Sequence, residues 1–200
     1  MNAWIVPLLV GAVVFAAAMA PVIYNRLVVL KARCDNAFAQ IEVQLKRRYD
    51  LVPNLVECVR SFMTHERETL ERVIAARNQA VASLENATRQ PESPDALKAW
   101  MGAEGSLAVA LGRLSVVIES YPDLKASASV AELTEELTTT ENRIAYARLS
   151  YNDWVTGFNT YRQGFPTCVY AGLLGFGHDR SYLEFAEGAK LNHAPRVVLA

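Results

Sequence analysis

The chain lacks most of what would announce chemistry. It has no excess of positive charge: Lys and Arg total 20 against 21 Asp and Glu, a formal net charge of -1. A nucleic-acid binder needs a basic face, so that class is set aside. The three cysteines, Cys34, Cys58 and Cys168, are odd in number, far apart and without a CxxC pair. This argues against a disulfide framework and against a zinc site. No GxSxG nucleophile motif occurs, and Gly175-Phe176-Gly177-His178 lacks the Lys-Ser/Thr of a phosphate loop, so its glycines predict a turn. His65-Glu66 opens like a zinc-protease HExxH, but Thr69 stands where the second histidine belongs. The Glu-x-x-His pairs of bundle di-iron sites are also missing. The expectation is therefore no catalytic, cofactor-binding or metal-binding residues and no cofactor. The competing enzyme reading would be a metal-dependent one built on His65, Glu66 and Glu68.

Charge is absent from one region altogether: the first 25 residues carry none. Ala3 to Tyr24 makes 22 uncharged residues, about 33 Å as a helix, enough to cross a hydrocarbon core. Trp4 and Tyr24 flank the run where amphipathic rings favour the membrane interface. A cleaved signal peptide is the rival, with Ala18-Met19-Ala20 as the cut. No basic residue precedes the run and Pro21 would follow the cut, so a retained anchor over residues 1–24 is expected, touching the bilayer through residues 3–24. Arg26, Lys31 and Arg33 follow the run, against Asp35 alone, so a single-pass anchor with the bundle in the cytoplasm is expected.

What the remainder has is helical period. Leu27, Leu30, Cys34, Ala37, Ile41 and Leu45 make one seam, with Glu42 and Lys46 an i,i+4 pair outside it. Cys34 reads as a small buried hydrophobe on that seam. Pro53 predicts a helix boundary and the start of a second helix carrying Leu55, Val59, Phe62, Leu70, Val73, Ala80 and Leu84. From Asn25 to Tyr49 is about 37 Å and from Pro53 to Thr88 about 54 Å, a mismatch that predicts a break near Thr64-His65 or a tilted bundle. Lys46-Arg47-Arg48 then reads as a solvated helix terminus.

Thr88 to Pro94 is a linker, and a third helix follows with Leu97, Trp100 or Met101, Leu107, Leu111, Leu114 and Ile118. Gly102, Gly105 and Gly112 within it predict close packing against a neighbour. Tyr121-Pro122-Asp123 ends it. The fourth helix holds strict 3-4 alternation over Val130, Leu133, Leu137, Thr140, Ile144, Ala147, Tyr151, Trp154, Phe158, Tyr161 and Phe165, a coiled-coil-like seam. The acids Glu132, Glu135, Glu136 and Glu141 read as a solvated face. Tyr151, Trp154 and Phe158 are predicted as core, with a sensor for a small hydrophobic ligand as the alternative use. The fold class is all-α: an N-terminal transmembrane helix continuing into an antiparallel up-and-down four-helix bundle over 25–165, with a tail, 166–200, packing on the membrane-proximal end. In that tail Val169–Phe176 is an apolar run too short to span, expected to cap the bundle or touch lipid.

Longer motifs sharpen this. Gln44-Leu45-Lys46-Arg47-Arg48-Tyr49-Asp50-Leu51-Val52-Pro53-Asn54-Leu55-Val56, Tyr121-Pro122-Asp123-Leu124-Lys125-Ala126, Thr140-Glu141-Asn142-Arg143-Ile144-Ala145 and Tyr151-Asn152-Asp153, with Phe165-Pro166 and Gly175-Phe176, resemble the LemA family across the whole chain. The resemblance implies an anchored four-helix bundle without a catalytic residue set. Relatives tied to shaping the magnetosome membrane, and others encoded beside membrane metalloproteases, imply a scaffold or adaptor role in membrane organisation, through self-association or a membrane-protein partner. Gly177-His178-Asp179-Arg180 departs from the family pattern, which often carries basic residues and proline there.

Overall fold

A computed structural model of the chain describes residues 5–62, 66–91 and 93–184. The described chain is all-helical. Six helices follow one another: α1 (Ile5–Arg60), α2 (Arg67–Arg89), α3 (Pro94–Ser120), α4 (Pro122–Ala126), α5 (Ala128–Gln163) and α6 (Thr167–Ala171). Ala3, Trp4, Thr64, His65 and the end of the tail lie outside the described residues.

Two compact units divide the chain. The first takes the described residues up to Ala39 together with Leu149–Ser181. In it Leu27, Leu30, Cys34 and Ala37 are buried, as their seam predicts, together with Tyr151, Val155 and Phe158 from α5. Ring contacts set the pairing of α1 with α5. Phe38 meets Tyr151 edge-on with centroids 5.9 Å apart, and the Arg33 guanidinium lies 4.6 Å from the centre of the Trp154 ring. Because the contact moves toward the C-terminus of α5 as it moves toward the N-terminus of α1, the two segments run antiparallel. The aromatic positions of α5 are therefore packing positions down to Phe158. Phe165 is 88% exposed, because α5 ends at Gln163 and the 3-4 register ends with it.

The second unit takes Gln40–Arg148 and the described residues from Tyr182. Its core joins Val52, Leu55, Val56 and Val59 of α1 to Leu70 and Val73 of α2, Leu114 and Ile118 of α3, Leu124 of α4 and Val130 of α5. Each large side chain taken out of water here contributes about 1.5–3 kcal/mol. The α3 start is local chemistry. Ser93 accepts a hydrogen bond from the Ala96 amide at 3.3 Å, and Pro94 occupies the first turn, where its missing N–H costs nothing. Among the described residues α3 alone is long and apolar enough to cross a membrane by length and composition. It nonetheless buries Leu97, Trp100, Leu107 and Leu114 together with the charged Glu104 inside this unit.

Three expectations are corrected. The expected boundary at Pro53 does not exist: α1 runs through it to Arg60 and α2 begins at Arg67, while Thr64-His65, where the length mismatch predicts a break, lies outside the described residues. Phe62, beyond the end of α1, is half exposed rather than on a buried seam. Gly102, Gly105 and Gly112 do not mark close packing, since a Cβ added at any of them would meet nothing within 4 Å.

The reason α1 survives Pro53 is visible. A proline inside a helix leaves the carbonyl four residues earlier without its donor. That carbonyl belongs to Tyr49, and Arg77 of α2 donates to it from Nε at 3.0 Å. A half-buried guanidinium thus replaces the missing amide. Arg77→Met should lower the stability of the detergent-solubilised chain by about 1–3 kcal/mol, the cost of leaving a buried acceptor unmet. In a Pro53→Ala background the helix regains its own N–H, so the same change should cost about 1 kcal/mol less. Equal losses in both backgrounds, measured by denaturant titration, would show that Arg77 does not act through this carbonyl.

Candidate functional site

One turn before Pro53, α1 carries Arg47, Arg48 and Tyr49. The seam register places Arg48 inward: Ile41, Leu45, Arg48, Val52, Leu55 and Val59 alternate by four and three. On α3 the steps Leu97, Trp100, Glu104, Leu107, Leu111, Leu114 and Ile118 place Glu104 inward in the same way. Two charged residues of opposite sign therefore occupy seam positions, and they meet. Arg48 and Glu104 are each 3% exposed, and the Arg48 guanidinium binds Glu104 Oε2. Tyr49 Oη donates to Glu104 Oε1, so both carboxylate oxygens are engaged. Arg48 Nη1 reaches Glu141 of α5 at 2.6 Å, and Arg47 Nε reaches Glu136 at 3.1 Å.

Lys46-Arg47-Arg48 is consequently not a solvated helix terminus, which corrects the expectation. Because α1 continues, these residues lie within it: Arg47 and Arg48 face neighbouring helices, while Lys46 stays exposed and pairs with Glu42 on α1 itself. Glu136 and Glu141 are likewise partners rather than members of a free acidic face, while Glu132 and Glu135 remain exposed. The alternation itself could have revealed Arg48 and Glu104: each fills the step that the apolar list skips.

The first unit has its own polar assembly. Asn159, 6% exposed, donates from Nδ2 to the Arg180 carbonyl and accepts from the Arg180 amide at Oδ1, both at 2.9 Å. Arg180 also reaches Asp35 at 2.7 Å. Arg162 Nε donates to Asp179 at 2.8 Å, Gln163 Nε2 donates to it at 2.9 Å, and Tyr151 Oη donates to the Ser181 carbonyl at 3.2 Å. Asp179 and Arg180 thus fasten the chain after α6 to α5 and α1.

Burial dominates the electrostatics of both units. Burial pushes the Tyr49 and Tyr151 phenols up to about 12, against the opposing charges of Arg48 and Arg180. Burial raises the Cys34 thiol too, with Arg180 opposing. Burial would also raise Asp179, but hydrogen bonds from Arg162 and Gln163 hold it below its ordinary value. Glu104 accepts at both carboxylate oxygens, one from Arg48 and one from Tyr49.

The described residues of the competing readings have other partners. His65 lies outside the described residues. Glu68 pairs with Arg72 at 2.6 Å, and Glu66 accepts from Thr69 at 3.5 Å. Among the described residues no group of three or more His, Cys, Asp and Glu side chains stands close enough to hold a metal ion. Tyr151 and Phe158 are buried packing residues. Trp154 borders an open groove of ≈ 640 Å³ with Arg26, Asp153, Gly157 and Tyr161. This is a surface channel rather than an enclosed ligand chamber.

Residues 37–198 match the LemA family. Two relatives from Paramagnetospirillum magneticum, Magnetosome protein MamQ 1 and Magnetosome protein MamQ 2, are each 26% identical over 202 residues, spanning 87% of this chain and 74% of theirs. Protein LemA of Metamycoplasma hominis is 29% identical over 136 residues, 68% of this chain and 58% of its own. The matched residues include the Arg48–Glu104 network and the Asn159–Arg180 clamp.

Two outcomes follow. Arg48→Met strands a buried Glu104 carboxylate and should cost about 3–5 kcal/mol, whereas Arg48→Met with Glu104→Leu should recover most of the loss. A double variant as unstable as the single one would contradict a mutual pairing. On the alkaline side, unfolded tyrosine ionises near 10 and the folded phenols near 12, so their contribution is intact below about pH 10 and lost as pH rises toward about 12. Tyrosinate absorbance should show two late-titrating phenols among the eight tyrosines. Complete ionisation near pH 10 with helicity intact would contradict the burial.

Proposed function

The chain belongs to the LemA family, and from that premise we propose that it is a membrane-anchored, non-enzymatic scaffold or adaptor in bacterial membrane organisation. The observation that carries the anchor is the uncovered apolar surface of early α1. Leu8, Leu9, Val10, Val14, Phe15 and Val22 are 57–72% exposed, on successive turns of a stretch without a charge. Water would make such a surface costly, and a hydrocarbon core would not. Residues 3–24 form the single span. The helices over 25–165 make an up-and-down bundle in the cytoplasm, on the side of Arg26, Lys31 and Arg33, with 166–200 returning to the membrane-proximal end.

Consumption of the polar groups supports the non-enzymatic half of the reading. Arg48, Glu104, Glu141, Asp179 and Arg180 bind one another or the backbone. The chemistry of this fold is spent on holding helices and tail together, which leaves partner binding to its outer faces. Relatives named as magnetosome proteins fit a role in organising a bacterial membrane, through self-association or a membrane-protein partner. The metal-enzyme reading on His65, Glu66 and Glu68 gains no support, and the sensor reading lacks an enclosed cavity.

Alkaline carbonate washing should leave the full chain in the membrane pellet, and an export-dependent reporter fused after Ala200 should stay silent. Release into the wash would contradict the anchor, and reporter activity would put the bundle outside. Cross-linking in native membranes should give adducts of discrete size. A chain that remains monomeric and free of adducts at every dose would contradict the scaffold role.

A further inference from the structure

The segment after α5 is apolar in two directions, and only one of them is used. Gly175, at φ +85, closes the turn after α6: the Phe176 amide donates to the Ala171 carbonyl at 2.8 Å, the six-to-one bond that a left-handed glycine permits at a helix end. This turn sends Phe176 inward. Its ring meets Tyr24 of α1 at 5.9 Å and Phe158 of α5 at 6.3 Å, both edge-on. Ala171 is buried on the same side.

The other direction is bare. Phe165 is 88%, Leu173 86% and Val169 61% exposed. These are the large apolar side chains that the segment holds away from the Phe176 side, and no described residue covers them. Their level is fixed by the Tyr24–Phe176 contact, since Tyr24 is the last residue of the uncharged run on α1. Because α1 and α5 run antiparallel and Tyr161 shares a groove with Arg26, the end of α5 at Gln163 stands near the Tyr24 level, and Phe165 follows two residues later. The bare patch thus continues the bare apolar surface of α1 at Val22, 58% exposed.

We propose that Phe165, Val169 and Leu173 form an interfacial lipid-contact patch that inserts into the membrane surface beside the emerging α1 helix, with Phe176 as the hinge pin that sets its depth. The occupant is the bilayer itself. The patch is continuous with a helix surface that has no other apolar cover, and it stands at the end of the span, where aromatic and aliphatic side chains enter the headgroup–acyl boundary. This rests on the anchor reading for residues 3–24. Ala171 and Phe176 pack inward, whereas Leu173 and Val169 are exposed.

The test uses the full chain in vesicles of phosphatidylethanolamine and phosphatidylglycerol that contain a lipid with a photoactivatable carbene near the glycerol end of its acyl chain. Peptide mapping after illumination should find label on early α1 and on the segment 165–173. Phe165→Asp with Leu173→Asp should lose the second label at an unchanged melting temperature, since both side chains are exposed in the folded chain. Label on early α1 with none on 165–173 would overturn this proposal and leave the anchor standing. Label on neither would overturn both. A double aspartate variant that keeps its label, or that melts markedly earlier, would place these side chains elsewhere than at the lipid.

Discussion

The second unit depends on a buried carboxylate. Glu104 sits at a seam position of α3 where an aliphatic residue would otherwise pack, and Arg48 and Tyr49 bring it a cation and a hydroxyl. A buried charge without a partner costs far more than a lost contact, so α1 and α3 are constrained to the register in which residues 48 and 104 face each other. Arg48 then extends to Glu141 of α5. The next residue, Tyr49, offers α2 its carbonyl through Arg77. One turn of α1 thereby has specific polar contacts with the three other long helices of the unit. Apolar seams alone slide by a turn at little cost; a charge pair fixed among them does not.

The same turn explains a misleading part of the sequence. Val52-Pro53 reads as a helix boundary, because local backbone chemistry opposes continuing through a proline. The apolar register says otherwise: the steps from Ile41 to Val59 keep phase across Pro53, as they would not if a new helix began there. Tertiary contact decided between the two signals, through an arginine 28 residues further on. That partner cannot be recognised from spacing. The real break, between Arg60 and Arg67, was legible only indirectly, as a length mismatch between adjacent helices.

Much else was legible. Helix content, the boundaries at Pro94 and Tyr121-Pro122, and the buried seams of early α1 and of α5 down to Phe158 follow from period and punctuation. Charged residues within seams were passed over because an apolar list was sought, and Arg48 and Glu104 were the ones that mattered. The glycines of α3 misled in the opposite sense: small residues were taken for a close helix contact, and they face open space. In the tail, Gly175 was readable as a turn, but the fastening of Asp179 and Arg180 was not, since its partners Arg162, Asn159 and Asp35 are distant in sequence. These residues hold the tail beside α1 and α5.

The account stands on α1 being one helix through Pro53, held by its polar turn. Bio-orthogonal spin labels at the exposed positions Val43 and Glu57 bracket the proline by 14 residues, about 21 Å along a continuous helix. A dipolar distance measurement on the membrane-reconstituted chain should give a narrow distribution around that separation, broadening when Arg77 is replaced by methionine. A broad or markedly shorter distribution in the unaltered chain would show that α1 breaks at Pro53.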